Sequence, residues 1–503
     1  MCSTILQCGA EGTLEVRDFR TGPFFIPELT KGLRRLILRP MSNALDIDMY
    51  QASMLRGYFK SGMHNNRGAM ELFARKLPAA RDFFVVSGIA RVVDYLNGLK
   101  FTDEDIRTLK SIPSLEIGSE PEDEQFVNWL ASIDFKKELT LYAFQEGNVA
   151  FPHEPLLRVE GPIGLCQFVE KRLLSIMNHD VRVASKAARI ALAAKGRAVF
   201  EFGGRRAHEG CSADTARAAY IAGCAGSSNV QAYQTYGVPA IGTMGHVWIM
   251  SHETEAEAFE NWSRAYKNSV YLIDTYNPTE GVHNALKAAP GNLGGVRLDS
   301  GDLLDQSCQF KRLLTHSQGP DARVVASNDL DEYSIATLLE RGAAIDAFGV
   351  GTQLVSTPDT PSLNFVYKLV SVAYEEGGKQ HPICKVADGF SGKGTWPGAK
   401  QVKRHYAYHG NRTVFTHDVV ELDGPQEEGD WDNQLVKHDI VDVCHTARTE
   451  LARKNFAKTL AKMPGYMKVI PKSPPPEHRL EYPVDFSEEL SQIRKDVAAR
   501  SGK

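Results

Sequence analysis

No apolar run in this sequence approaches the roughly 18 to 20 residues of a membrane span, and the N-terminus has no secretory apolar core. A basic excess is also absent: Lys and Arg number 58 against 62 Asp and Glu, a formal net charge of −4. That balance excludes a general nucleic-acid binder, which carries a basic surplus, yet it leaves room for a local basic pocket. Paired cysteines are missing as well. The 8 cysteines (Cys2, Cys8, Cys166, Cys211, Cys224, Cys308, Cys384 and Cys444) form no C-x-x-C pair and no zinc spacing. In a chain this long they read as free thiols of a reducing compartment, so a cytoplasmic protein is expected. No internal repeat stands out beyond a strand–helix rhythm.

What is present is an ordinary globular composition, 43% hydrophobic and 24% charged, over 503 residues. Such a length predicts two or three structural domains and a core that needs no staples. Residues 1–42 read as an N-terminal extension, Arg-rich near its end at Arg34, Arg35 and Arg39, with an organelle-targeting segment as the alternative. The stretch 45–56 opens the ordered region as a helix start that Asp46 or Asp48 can cap. A strand candidate at 68–73 and a helix at 86–99 follow, then short strands and turns over 139–162 and a helical pattern over 163–194.

From 197 to 355 short apolar runs alternate with helical patterns. The strand candidates are 198–202, 238–242, 270–273, 296–298, 323–326 and 345–349, with helices between them such as 253–267, 302–314 and 331–341. Strand–helix–strand crossovers of this kind build a parallel sheet. Six in a row predict a closed or nearly closed β/α barrel, with a doubly wound open sheet as the alternative. Beyond 370 the rhythm stops. Residues 384–410 combine Gly389, Gly392, Gly394, Pro397 and Gly398 with several Lys and Arg, and read as strands and loops of a second domain. A Pro-rich flexible stretch (471–479) and a charged helix (487–500) end the chain. The expected division is 1–42 extension, 43–162 N-terminal α/β domain, 163–370 barrel and 371–503 the segment completing the second domain.

Polar, glycine-rich clusters follow nearly every barrel strand: GGRRAH (203–208), TMGH (243–246), DTYN (274–277), DSGD (299–302), SNDLDE (327–332) and GVGT (349–352). In a parallel barrel these loops converge on the face where active sites sit. Arg205 and Arg206 offer planar forks for carboxylate or phosphate, unless they are a salt-bridged surface pair. Asp274, Asp299, Asp302, Asp329 and Asp331 crowd the same mouth. Carboxylates so placed repel one another unless a cation intervenes, and Mg²⁺ bound through one or two carboxylates plus substrate phosphates answers that. The plainer reading is helix capping, to which Asp302 and Asp331 are suited; Asp299, at a strand end, is the better metal candidate. Gly349, Gly351 and Thr352 form a loop whose N–H groups can cradle phosphate. His246 ends a strand candidate, His208 competes with it on position, and His179, His252 and His283 lie outside the pattern. Phe202 and Tyr50 can stack on a planar ring or simply pack in a core.

These clusters, in this order, resemble nicotinate phosphoribosyltransferases, a family of type II phosphoribosyltransferases. The resemblance rests on DIDMYQ (46–51), EGNVAFPHEPLLRVEGP (146–162), EFGGRRAH (201–208), GSSNV (226–230), GVPAIGTMGH (237–246), LIDTYNP (272–278), VRLDSGDL (296–303), VASNDLDE (325–332), IDAFGVGTQLV (345–355) and PGAKQV (397–402). It implies an irregular TIM-like β/α barrel beside a second α/β domain built from the N- and C-terminal segments, and a homodimer with active sites near the subunit interface. It implies transfer of phosphoribosyl from 5-phosphoribosyl 1-diphosphate to nicotinate in NAD biosynthesis, by an ATP-hydrolysing enzyme of the ligase class that uses Mg²⁺. Tyr50 would reach the neighbour's site and sandwich the pyridine ring against Phe202. Arg205, Arg297, Asp299 and Asp274 would lie near the ring and phosphoribosyl groups, Gly349 and Gly351 with Thr352 at a phosphate, and His246 would be phosphorylated by ATP. The nicotinamide enzymes carry an Asp near the position of Ser228; serine beside the second arginine, Arg206, suits a carboxylate instead.

Two departures stand out. The family has Ala-His-Ser where this chain reads Gly245-His246-Val247, which removes a hydroxyl able to orient the imidazole. An aromatic is expected after Asn178, where His179 and Asp180 stand. The first departure motivates one rival, a degenerate homologue acting as a binding or scaffold protein; phosphoribosyl transfer to nicotinamide or quinolinate is the other.

Overall fold

The computed structural model describes residues 44–79, 81–318, 321–386, 394–410, 412–424, 434–442, 444–470 and 482–500, with three short N-terminal strands, Ile5–Cys8, Leu14–Asp18 and Gly22–Phe24. The rest of the N-terminal extension, the Pro-rich stretch 471–479 and residues 387–393 lie outside the described residues. Two sheets flank one long helix. Glu170–Ala193 is a 24-residue helix whose apolar stripe and alanines recur at helical spacing. Leu173, Ile176, Met177 and Val181 in its first half enter one hydrophobic core, and Val183, Ala184, Ala187, Ile190 and Ala193 enter the other. A single element therefore fixes the two domains to each other.

The barrel sheet is six-stranded, with Gly226–Ser227, Ala198–Glu201, Ala347–Val350, Arg323–Ala326, Leu293–Leu298 and Ser269–Leu272 side by side. Every pairing in it is parallel, as crossovers through the intervening helices require. The sequence-based candidate at 238–242 is a correction: only Ala240 makes an isolated parallel bridge, to Ser227. The strand at that edge is Gly226–Ser227, only two residues long and therefore without an apolar run to betray it. Among the described residues no ladder joins Ala240 to Ser269–Leu272, so the sheet curls as a half-barrel.

Every pairing in the second sheet is antiparallel, and the sheet draws on both ends of the chain. Its order is His381–Pro382, Phe365–Val372, Arg67–Ala74, Leu157–Pro162, Thr140–Ala143 and Val436–His438. Arg67–Ala74 is buried on both faces after its first residue, which is why it reads as a nearly continuous small and apolar run. No helix among the described residues is long and apolar enough to cross a membrane. Cys166, Cys211, Cys224, Cys308, Cys384 and Cys444 are free thiols.

Buried ion pairs join the domains. Arg217 meets Glu146 through two hydrogen bonds of 2.9 and 2.7 Å, and Glu146 also accepts the Gly88 N–H at 2.7 Å. Glu332, the last residue of the SNDLDE cluster, forms an ion pair with Lys186 at 2.6 Å and accepts from Arg189 at 3.2 Å, and Arg189 reaches Asp82 at 2.8 Å. That cluster was expected at the mouth, but its Glu332 is fully buried in the contact between the long helix and the barrel.

Candidate active site at the strand ends

The loops after the barrel strands bring together side chains from well-separated stretches. Arg297, near the end of Leu293–Leu298, is 12% exposed at its side chain. It donates from Nη1 to Ser327 Oγ at 3.0 Å and from Nη2 to the Met244 carbonyl at 3.1 Å, and lies 3.3 Å from Asp299 Oδ1. Burial, with the like charge of Arg205 nearby, pulls this guanidinium below its ordinary value, while Asp299 and Asp274 oppose that. Asp299 Oδ1 also accepts from Ser327 Oγ at 2.5 Å. Its other oxygen lies 3.5 Å from His246 Nε2. Asp274 is 8% exposed. One of its oxygens accepts from the Asp299 N–H and the Ser300 hydroxyl, both at 2.7 Å. The other, Oδ1, and Arg297 Nε are buried without a hydrogen-bond partner.

His246 opens the short helix His246–Met250 with Gly245 at its N-cap, and its side chain is 41% exposed. Nδ1 is 3.1 Å from the Thr275 hydroxyl. The hydroxyl that Val247 lacks is thus supplied from another loop, and Val247 itself is 77% exposed. If His246 carries the phosphoryl group that the resemblance implies, Thr275→Val should lower ATP-stimulated turnover about tenfold, the scale of one hydrogen bond to that imidazole. Val247→Ser should leave it within about twofold, as surface substitutions do. A comparison of ATP-stimulated rates in the two variants checks this, and equal losses would contradict the assignment of Thr275.

Arg205 and Arg206 sit on the short turn Gly204–Arg206, both exposed. Among the described residues neither forms an ion pair, which removes the salt-bridged surface reading. Ser228 is exposed on the neighbouring turn. Phe202 stacks on Phe200 with centroids 6.1 Å apart and lies over Gly349, where an added Cβ would come within 2.5 Å of the Phe202 ring. Gly351 is the N-cap of the short helix Thr352–Ser356, and its carbonyl would lie 2.7 Å from a Cβ on Gly203. Glycines at 203 and 349 therefore let the arginine turn, the aromatic ring and the GVGT loop touch. Tyr50 stands apart within one chain: it is 46% exposed, and its hydroxyl donates to Glu170 at 3.0 Å.

Other candidates are structural. Asp302 and Asp331 cap helices, accepting from Leu304 at 2.9 Å and Ser334 at 2.7 Å. His179 bridges Asp180 at 2.7 Å and Thr215 at 3.1 Å, and Asp180 meets Arg91 at 2.5 Å, so the Asn178-His179-Asp180 departure is satisfied by polar partners. Thr275, Ser327 and Glu201 were missed by sequence reasoning: each lies inside a quoted cluster, but a lone hydroxyl or a strand-end glutamate carries no signal of its own. A cavity of about 710 Å³ opens at the opposite end of the same strands, lined by Arg197, Lys311, Arg323 and Asp346 among others. It shares no residue with the mouth, and that end of a parallel barrel serves stability.

No cluster of three or more His, Cys, Asp or Glu able to hold a metal by itself exists among the described residues. Asp274, with its unpartnered oxygen, and the partly exposed Asp299 fit the lesser demand of Mg²⁺, which binds through one or two carboxylates, water and phosphate oxygens.

Comparison with known proteins agrees with this arrangement. Residues 45–178 match the nicotinate phosphoribosyltransferase (NAPRTase) N-terminal domain, and 198–409 match the NAPRTase family. A nicotinate phosphoribosyltransferase of Mycobacterium tuberculosis is 37% identical over 401 residues, 78% of this chain and 82% of that one. The Bacillus subtilis nicotinate phosphoribosyltransferase is 38% identical over 370 residues, 72% and 73% of the two chains. The crystal structure of human nicotinic acid phosphoribosyltransferase superimposes with a TM-score of 0.71 at 26% identity, over 90% of this chain and 99% of that one. Sequence, fold and the order of the loops agree, and the chain belongs to the nicotinate phosphoribosyltransferase family.

Proposed function

We propose that this chain transfers phosphoribosyl from 5-phosphoribosyl 1-diphosphate to nicotinate, giving nicotinate mononucleotide and diphosphate in NAD salvage, with ATP as co-substrate. Beyond family membership, one observation carries the choice of acceptor: two exposed guanidinia without an ion-pair partner among the described residues, Arg205 and Arg206, and the exposed Ser228 are carried on two turns that Glu201 ties together. That set suits a carboxylate and offers no acidic partner to an amide. The chemistry needs no general base, because the pyridine nitrogen is unprotonated near neutral pH. Its lone pair forms the bond to ribose C1 as the C1–oxygen bond breaks, and the electron pair leaves with diphosphate. The protein's work is positioning and stabilisation of leaving charge by Arg297. Gly349, Gly351 and Thr352 hold a phosphate in this reading. Bound Mg²⁺, held at Asp274 and Asp299 together with substrate phosphates, would neutralise phosphate charge; the unpartnered Asp274 oxygen supports that choice.

ATP passes its γ-phosphoryl to His246, forming a nitrogen–phosphorus bond as ADP leaves, and later hydrolysis drives the overall reaction forward. With γ-labelled ATP, the wild type should gain an acid-labile, base-stable label that His246→Ala lacks. Equal labelling of both proteins would overturn this role.

The reading includes a homodimer. Its support is a set of apolar side chains on segments that follow the barrel strands, Val230, Tyr233, Val247, Met250 and Tyr276, each at least 60% exposed. In that assembly Tyr50 reaches the partner's mouth and covers the acceptor ring opposite Phe202. A cytoplasmic setting is part of the same reading, since the described cysteines are free thiols.

A further inference from the structure

Glu201, the last residue of the Ala198–Glu201 strand, is fully buried directly before Phe202 and the arginine turn. No cation pairs with it among the described residues; its partners are all neutral donors. One carboxylate oxygen accepts the Gly203 N–H at 2.5 Å, and the Gly204 N–H also donates to the group. The other accepts the Ser227 hydroxyl at 2.5 Å. Ser227 Oγ in turn accepts the Asn229 N–H at 3.0 Å, and the Ser228 N–H donates to the Glu201 carbonyl at 3.0 Å. One residue thus ties the turn bearing Arg205 and Arg206 to the turn bearing Ser228. Burial pushes the carboxyl up, and only these donors hold it down. An acidic group this deeply buried and without a counter-ion is costly, so a structural purpose alone would be served better by a neutral side chain.

We propose that Glu201 is a positioning residue for acceptor recognition: its carboxylate locks the two turns in one register, so that Arg205, Arg206 and Ser228 converge on a single planar carboxylate. This rests on the reading of those three residues given under the proposed function. The phosphate loop meets this strand end through backbone and packing, with the Phe202 N–H donating to the Val350 carbonyl at 2.9 Å and Gly203 lying against Gly351, and none of these contacts uses the Glu201 carboxylate. Loss of the Glu201 carboxylate should therefore fall on the acceptor and not on the phosphoribosyl donor.

The test uses the full chain with Glu201→Ala, Glu201→Gln and Ser227→Ala. In Glu201→Ala the KM for nicotinate should rise about tenfold or more, the scale of hydrogen bonds to a charged group, while the KM for phosphoribosyl diphosphate stays within about threefold. The preference for nicotinate over nicotinamide should narrow in parallel. Glu201→Gln should recover most of the nicotinate affinity, because its amide oxygen can accept from Gly203 while the Ser227 hydroxyl turns to accept from its NH₂. Ser227→Ala, which removes one anchor only, should shift nicotinate KM in the same direction by less, and is judged alone if Glu201→Ala fails to fold. Nicotinate KM near the wild-type value in the folded variants overturns the role, and so does an equal rise in both substrates' KM. Wild-type protein that forms no nicotinate mononucleotide overturns the functional reading itself, and this role with it.

Discussion

Arg297→Ala is expected to lower kcat/KM for nicotinate about a hundred- to a thousandfold, the loss that follows removal of one preorganised donor facing developing charge. The size of the effect comes from where Arg297 sits. It is nearly buried, held by the Ser327 hydroxyl and the Met244 carbonyl, and set against Asp299, so its direction costs nothing to establish when substrate arrives. Its Nε remains without a partner among protein groups, which leaves a donor for a ligand oxygen. Arg297→Lys should recover little, because an ammonium cannot meet Ser327, Met244 and a ligand oxygen in one plane. Steady-state kinetics on both variants, with circular dichroism to confirm folding, checks this. A loss below about tenfold in Arg297→Ala would mean that the guanidinium is a scaffold for Asp299 and not a group that meets substrate.

The second large effect concerns the fold. Arg217→Ala strands the buried Glu146 carboxylate and is expected to destabilise the chain by about 3–5 kcal/mol. Arg217 is fully buried, and Glu146 is 9% exposed, so solvent screening offers little relief. Burial pushes Glu146 up, but the Arg217 guanidinium and the Gly88 N–H pull further and hold its carboxyl below the ordinary 4.5. A depressed folded pKa means a contribution fully present above the unfolded value and lost as pH falls through the folded one. Wild-type stability should therefore drop below about pH 4.5, and Arg217→Ala should lose that part of its acid dependence. The paired replacement Arg217→Met with Glu146→Leu should recover much of the loss, since a buried pair exchanged for apolar groups is often neutral or better. Urea unfolding across pH reads all three. An unchanged midpoint in Arg217→Ala would contradict the view that this pair locks the domains.

Much of the barrel is legible in the sequence because parallel strands buried on both faces are near-continuous apolar runs. Ser269–Leu272, Arg323–Ala326 and Ala347–Val350 lie within a residue or two of their expected positions. Gly226–Ser227 was not legible, since a two-residue strand of Gly and Ser has no apolar signature. The 238–242 run misled because Val238 is core packing and only Ala240 bridges the sheet. The second sheet pairs Arg67–Ala74 with Phe365–Val372 across most of the chain, a register that no local pattern encodes.

Within the candidate site, residues with strong chemical character stand out in the sequence and the groups that orient them do not. His246, Arg297 and Asp299 come from stretches about 50 residues apart and meet at the mouth. Thr275 was hidden, so the loss of a hydroxyl at Val247 looked more serious than it is once the 3.1 Å contact to Nδ1 is seen. Glu332 carries the opposite lesson: an acidic residue in a mouth cluster serves the contact between domains. Strand-end position identifies a loop that reaches the mouth, and only packing says which of its side chains turn toward substrate.

Product formation tests the central claim most directly: nicotinate and 5-phosphoribosyl 1-diphosphate with Mg²⁺, with and without ATP, and nicotinamide and quinolinate in parallel. The predicted result is nicotinate mononucleotide from nicotinate, formed faster with ATP, and no product from nicotinamide or quinolinate. Ligand-induced thermal stabilisation without turnover, or product from nicotinamide at a comparable rate, would contradict it.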